Sequence, residues 1–432
     1  MGRRTEMGKN EMKKYKLGDV SNNIQTGPFG SQLHQSDYTE DGTPVIMPKD
    51  FANGIISIDS IARVSEEHVN RLKQHKVKAG DIIYSRRGDV GRCALITSYN
   101  DGWLCGTGCI KVELNRRLAD PSYTYYRLYN QDTFNWVQQH AVGAIMPNIN
   151  TSIVSEIPIK LPPLPIQRKV AAVLTALDDK IALNRRINDK LEAMAKRLYD
   201  YWFVQFDFPD ENGRPYKSSG GKMVWNETLK REIPEGWEVK RIDEIANIFN
   251  GSTPATDNQQ YYGGDIVWIT PKDLSDQNSK FVYKGARNIT VEGYNSCSTT
   301  IIPKGSIVMS SRAPIGLLSI AQCDLCTNQG FKNLVPKHAM DSYYLYYTLK
   351  SNIGKIQNLG TGTTFKEVSK DDLGRFSLLY PSNDITSLFT NKLTSLFAKQ
   401  LLIEKQSARL MSLRDRLLPL LMNGQVIVDG EV

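Results

Sequence analysis

Leu164-Pro165-Ile166-Gln167-Arg168-Lys169 opens the stretch that decides the fold, and the pattern it starts runs to Tyr201. Pro165 suits a helix start, where its missing N–H costs nothing. Behind it Val170, Val173, Leu177, Ile187, Leu191, Met194, Leu198 and Tyr201 fall on a 3–4 spacing, the a/d stripe of a helix made for a partner helix. Beyond Pro165 no Gly or Pro interrupts it. Roughly 35–38 residues at 1.5 Å each give about 55 Å. A helix that long is a spacer or a coiled coil.

Its partner is in the same chain. Phe389, Leu396, Ile403, Leu410, Leu413, Leu417 and Leu420 form a second stripe between Asp384 and Leu421. Leu177 matches Leu396, Leu191 matches Leu410 and Leu198 matches Leu417, an offset of about 219 residues. The expected seam is Val170, Leu177, Asn184, Leu191 and Leu198 against Leu396, Ile403, Leu410 and Leu417. Asn184 then falls at an a position and Lys180 at d, polar residues that set register at a cost in stability. The alternative is a helix rotated to use Ile181.

The regions before the two helices repeat as well. Thr26-Gly27-Pro28 is answered by Asn250-Gly251-Ser252, and Pro48-Lys49-Asp50 by Pro271-Lys272-Asp273. Gly80-Asp81-Ile82-Ile83-Tyr84-Ser85-Arg86-Arg87 is answered by Gly305-Ser306-Ile307-Val308-Met309-Ser310-Ser311-Arg312, a turn glycine feeding an apolar strand that ends in Ser and Arg. Gly91 and Gly316 keep the offset; Tyr123, Tyr125 and Tyr126 match Tyr344, Tyr346 and Tyr347 on helices. A Gly/Thr/Asn-rich loop follows in each copy, at 143–152 and 360–366. The fold class is therefore α+β: two tandem domains, each followed by a long helix, the two helices pairing with one another as a coiled coil. The expected division is a basic leader (1–13), a first domain (14–163), the central helix (164–205), an extended linker (206–235), a second domain (236–383), the C-terminal helix (384–422) and a tail (423–432).

Composition limits function. The 432 residues suffice for two to four domains, and 40% hydrophobic residues support packed cores. No apolar run could span a membrane, and the charged leader has no signal-peptide core, so a cytoplasmic protein with reduced, buried thiols is expected. A net charge of +8 permits nucleic acid as a partner without requiring it.

Taken together, Pro162-Pro163-Leu164-Pro165-Ile166-Gln167, Leu183-Asn184, Tyr201-Trp202-Phe203, Pro234-Glu235-Gly236-Trp237-Glu238 and Trp268-Ile269-Thr270-Pro271-Lys272-Asp273, in the order domain–helix–domain–helix, carry a resemblance. Over nearly its whole length the chain resembles the specificity (S) subunit of type I restriction–modification systems. The second helix departs from the pattern: Pro381-Ser382-Asn383-Asp384-Ile385 lacks the Pro-x-x-x-Gln of the first. The resemblance implies target recognition domains that each read one half of a split sequence in double-stranded DNA. It implies helices that pair as an antiparallel coiled coil, hold the domains apart and dock two methyltransferase (modification) subunits, with a restriction (translocase/nuclease) subunit joining the assembly. No cofactor is expected on this chain; S-adenosylmethionine and ATP/Mg belong to the partners.

Catalytic chemistry finds little support. An adenine methyltransferase needs Asn/Asp-Pro-Pro-aromatic, but Pro162-Pro163 follows Leu161. Gly106-Thr107-Gly108 and Gly360-Thr361-Gly362 lack the βαβ setting of a cofactor loop. Asp178-Asp179-Lys180 rides the long helix and reads as a solvated face rather than a nuclease centre. Cys323-x-x-Cys326 lacks the further ligands that zinc needs. These absences argue against the rival readings, a single-chain methyltransferase or nuclease; a stand-alone DNA-binding protein remains the other. DNA recognition is better supplied. Base readout needs Arg, Lys, Asn or Gln on projecting loops, and phosphates need Arg/Lys and Ser/Thr. Arg86, Arg87 and Arg312 stand at strand ends, Lys49 and Lys272 follow prolines, and Asn148, Asn150, Thr363, Thr364 and Lys366 lie on Gly-rich loops.

Overall fold

The computed structural model describes residues 12–52, 54–143, 147–277, 279–361 and 366–426. The chain divides into two compact units, Met1–Leu183 with Gln406–Val432, and Asn184–Lys405. Each is α+β, and each receives part of both long helices, Leu164–Tyr199 and Asn383–Met422.

In the first unit an antiparallel sheet runs in the order Ser21–Thr26, Cys109–Leu114, Ile82–Ser85, Cys93–Leu95. Side chains alternate across it with the strand period of two. Ile82, Tyr84, Ile110 and Val112 enter one core, Ile83, Ala94 and Cys109 another. Burial on both faces explains why Ile82-Ile83-Tyr84 is unbroken by a polar residue. The first core is roofed by the helix Pro121–Tyr129, whose Asp120 N-cap accepts from Tyr123 N at 3.0 Å. Val170, Ala171 and Leu174 of the central helix complete it, with Leu421 and Met422 of the C-terminal helix. The other face carries a small sheet with a parallel pair, Thr43–Ile46 beside Leu104–Cys105.

The second unit repeats the plan. Its sheet runs Ala246–Asn250, Phe331–Pro336, Ile307–Ser310, Leu318–Ala321, Phe281–Val282, with Trp268–Ile269 parallel to Cys326–Thr327. Ile307 and Met309 face one core and Val308 the other. Within it Ala195, Tyr199, Trp202 and Phe203 pack with Phe389, Leu393 and Phe397. In each unit, lower-numbered residues of one helix meet higher-numbered residues of the other, so the pairing is antiparallel.

Three expectations are corrected. Residues 206–235 are not an extended linker: Met223–Asn226 and Arg231–Pro234 form a hairpin, and Phe208 stacks on Trp237 and Tyr216. Residues 1–11 of the leader lie outside the described residues, but Lys13 already begins a strand paired with Leu161. The a/d stripe is displaced by one residue in one of its two series. Val170 and Asn184 are buried and Leu177, Leu191 and Leu198 half-buried, but Lys180, Met194 and Tyr201 are exposed. The second series is Leu174, Ile181, Asn188, Ala195 and Trp202. On the C-terminal helix Ile403 is buried, Leu396, Leu410 and Leu417 are half-buried, and Leu413 is exposed while Leu393, Gln400 and Leu421 are buried. Gln400 Nε2 donates to Asn188 O at 3.3 Å. Among the described residues no helix is long and apolar enough to cross a membrane.

Candidate nucleic-acid interface

Each unit gathers five loops at one end of its central strands. In the first, the loop after Thr26 approaches Gly106 so closely that a Cβ on Gly27 would lie 2.0 Å from Gly106 O. Gly251 stands the same 2.0 Å from Asn328 O in the second unit. Only glycine fits such an approach. Pro48–Asp50 is a tight turn closed by Asp50, whose Oδ2 accepts from Met47 N at 2.8 Å. Asp273 does the same for Thr270 N at 2.7 Å at the head of the helix Pro271–Gln277. These closures explain the repeated Pro-Lys-Asp. They leave Lys49 and Lys272 exposed, Lys49 Nζ donating to Ser60 O at 3.2 Å.

The strands Ile82–Ser85 and Ile307–Ser310 then deliver their arginines. Arg86 N donates to Gly108 O at 2.8 Å and Ile149 N donates to Arg86 O at 3.2 Å. Ser311 is stitched identically, to Gly330 O at 2.8 Å and from Val368 N at 3.0 Å. The chain turns back through Gly91 and Gly316, both in the left-handed region at φ 91° and 99°.

The predicted residues differ in their surroundings. Arg86 is half-buried, with Nε donating to Asn148 Oδ1 at 3.1 Å, while Arg87 beside it is exposed. Arg312 is exposed yet ion-paired, Nε to Glu367 Oε2 at 3.0 Å. Asn150 is a helix cap, Oδ1 accepting from Ile153 N at 2.8 Å, a sufficient structural reason for an asparagine there. Lys366 is exposed, and Thr363 and Thr364 lie outside the described residues.

Two residues were missed by the sequence reading, Glu367 and Lys332. Lys332 is buried with its Nζ 3.1 Å from Glu367 Oε1. Burial pushes the Glu367 carboxyl up, but the Lys332 ammonium and the Arg312 guanidinium outweigh it and hold it below the ordinary value. Lys332 and Glu367 border a cleft of about 450 Å³ lined also by Asn250, Thr361, Ser369 and Lys370. A signal existed: Asn148 and Glu367 differ by the same 219 residues that relate the two helices.

Among the described residues no His, Cys, Asp and Glu cluster could hold a metal. Asp178 is no solvated face: its carboxylate accepts from Tyr126 Oη at 2.6 Å and Arg414 Nη1 at 2.9 Å. All six cysteines are free; four are buried, and Cys297 and Cys323 only partly so. Burial pushes the thiols of Cys93, Cys105 and Cys326 up to about 12.

Matched loop clusters on two α+β domains, each domain seated on a pair of long helices, define a tandem recognition protein. The chain matches the type I restriction modification DNA specificity domain over residues 9–193 and again over 234–410, and it belongs to that family. It is 27% identical to the HindI type I restriction enzyme specificity subunit of Haemophilus influenzae, across 96% of this chain and all of that one. Over 37% of this chain and 39% of the other it is 43% identical to the MjaIX specificity subunit of Methanocaldococcus jannaschii. Its fold is shared with the S subunit of a type I restriction–modification system from M. genitalium, at TM-score 0.62 and 16% identity over the full length of both chains.

Proposed function

We propose that this chain is the sequence-reading, non-catalytic subunit of a cytoplasmic type I restriction–modification complex. Each domain reads one half of a bipartite site in double-stranded DNA. The paired helices set the gap between the halves and dock two methyltransferase subunits, through which a restriction subunit joins. S-adenosylmethionine and ATP/Mg are bound by those partners. The reading is carried by one observation: a specificity domain occurs twice, and both copies hold the same loop cluster on the same backbone scaffold with different side chains. A common scaffold with divergent loops is what independent half-site reading requires.

Domain exchange is the direct test. Replacing 14–163 by the equivalent domain of a relative should change one half of the methylated sequence in the assembled complex. A change in both halves, or in neither, would refute independent reading. The chain alone, incubated with DNA and labelled S-adenosylmethionine, should transfer no methyl group; incorporation would make it an enzyme. The gap is tested by inserting seven residues after Arg186 and seven after Lys405, which preserves heptad phase. Each helix lengthens by about 10 Å, the axial length of roughly three base pairs. The preferred gap should grow by less than that, because three pairs also rotate the DNA by roughly 100°.

A further inference from the structure

Both loop clusters hold an arginine by the same atom, through a residue at one shared position. The backbone pattern makes Ser311 the counterpart of Arg86, and Val368 the counterpart of Ile149. Asn148 and Glu367 therefore occupy the same place. Each also bridges antiparallel to the residue six before it, Val142 and Thr361. From that place each sets a side-chain oxygen on an arginine Nε: Asn148 on Arg86 at 3.1 Å, Glu367 on Arg312 at 3.0 Å. The arginines are not themselves counterparts, since Arg312 corresponds to Arg87. Different loops have reached one contact from different sequence positions.

The chosen atom matters. A hydrogen bond at Nε fixes the plane of the guanidinium and leaves the paired Nη donors for an outside acceptor. That fork matches O6 and N7 of guanine in the major groove. The two acceptors differ in charge. Glu367 is shared by Arg312 and Lys332, so three side chains leave one net positive charge. A phosphate is drawn by net charge, a base edge by an oriented fork.

We infer that Glu367 is the positioning residue that orients Arg312 toward a guanine in the half-site of the second domain, and that Asn148 does the same for Arg86 in the first. The inference rests on the reading of both domains as DNA readers. It predicts that a residue which itself carries the wrong charge for DNA sets base preference.

The test uses the complex with its methyltransferase subunits and duplexes varied one base pair at a time across both half-sites, at several salt concentrations. Arg312→Ala and Glu367→Ala should relax the same guanine position of one half-site by roughly tenfold, and leave the other half-site unchanged. The double variant should be no worse than Arg312→Ala. Glu367→Gln, which keeps an oxygen for Nε, should retain most of the preference, and Lys332→Met should retain it as well. Arg312→Ala should not steepen the salt dependence, whereas Glu367→Ala should not make it shallower, because it removes an anion. A merely structural Glu367 would lower affinity on every sequence, keep the base preference and add to Arg312→Ala; that result overturns the inference. So does full preference in Arg312→Ala. If the wild-type complex shows no preference in that half-site, or domain exchange moves neither half, the underlying reading falls instead.

Discussion

The two units seat equivalent tyrosines on the long helices with different chemistry. In the first, Tyr126 donates to Asp178 of the central helix, which also takes Arg414 of the C-terminal helix; Arg414 keeps a second partner in Asp415 at 2.8 Å. In the second, Tyr347 Oη lies 3.2 Å from Glu192, which accepts from the Lys280 ammonium and, at 3.1 Å, from Lys350. Strict repetition would carry Asp178 to position 397. Phe397 stands there, and the Lys280 ammonium lies 3.7 Å above its ring. Arg414 is an ion pair at the rim of a core, whereas the Lys280 side chain is only 6% exposed. Burial pushes Lys280 down to about 8 against the pull of Glu192. The lesson is that a domain can keep its tyrosine and its helix while the charge moves from rim to interior, and the cost of breaking the contact moves with it.

The sharpest break follows. Glu192→Ala leaves a buried lysine without its carboxylate partner and should destabilise the second unit by about 3–5 kcal/mol. Asp178→Ala leaves Arg414 partly hydrated and still paired, and should cost about 1–2 kcal/mol. Denaturant unfolding, with hydrogen exchange to locate the loss in one unit, measures both. Equal losses would erase the distinction between rim and interior.

The helix starts offer the next contrast. Gln167, fully buried, donates to Leu118 O and Pro162 O at 3.0 and 2.8 Å and accepts from Asp120 N at 2.8 Å. That is the reason for Gln in Pro-Ile-Gln. The second start, which lacks it, uses Tyr380 Oη on Asp341 Oδ2 at 2.5 Å, with Asn383 Oδ1 at 2.8 Å. Gln167→Leu strands three backbone groups and should cost about 2–3 kcal/mol. Tyr380→Phe removes one hydroxyl and should cost about 1 kcal/mol. A larger loss from Tyr380→Phe would show that the second start is the tighter one.

Acid should expose part of the Glu192 contact. Burial pushes this carboxyl up, but Lys280 and Lys350 outweigh it and hold it below the ordinary value of 4.5. A carboxyl with a depressed folded pKa contributes stability above its unfolded pKa and loses it as pH falls through the folded one. The stability gap between the wild type and Glu192→Gln should be full at neutral pH and close as pH falls below about 4.5. Unfolding measured at a series of pH values reads the gap; one that persists at low pH would assign the loss to packing.

How much of this was legible depends on what sets each feature. The tandem plan was, because strands buried on both faces and tight loops impose residue types wherever they recur: Ile82-Ile83-Tyr84 and Ile307-Val308-Met309, Gly27 and Gly251, Pro48-Lys49-Asp50 and Pro271-Lys272-Asp273. The second helix series was not. On the central helix Val173, Ile187 and Met194 are as apolar as Leu174, Ile181 and Ala195, so periodicity cannot choose between them. On the C-terminal helix the inward series includes Gln400, which a search for leucines passes over while taking in the exposed Leu413. Glu367 was missed because a carboxylate is not sought among candidate DNA-binding residues, and Lys332 because it lies inside a strand, at the place Ile110 holds in the first unit.

The smallest expected effect tests that helix register. Met194 and Ala195 are neighbours on the central helix, one on each of the two competing series. Met194 is 59% exposed and Ala195 fully buried among Phe389, Leu393 and Phe397. Lysine and methionine have similar helix propensities, and an exposed site away from special features tolerates exchange within about 0.5 kcal/mol. Met194→Lys should therefore leave the unfolding midpoint almost unmoved. Were Met194 at the seam, the same change would bury an ammonium and cost several kcal/mol. Ala195→Leu gives the opposite reading: harmless on an exposed face, but costing about 1–3 kcal/mol in a filled one. A silent Met194→Lys beside a damaging Ala195→Leu fixes the second series on Leu174, Ile181, Asn188, Ala195 and Trp202. The reverse pair of results would return it to Val173, Lys180, Ile187, Met194 and Tyr201.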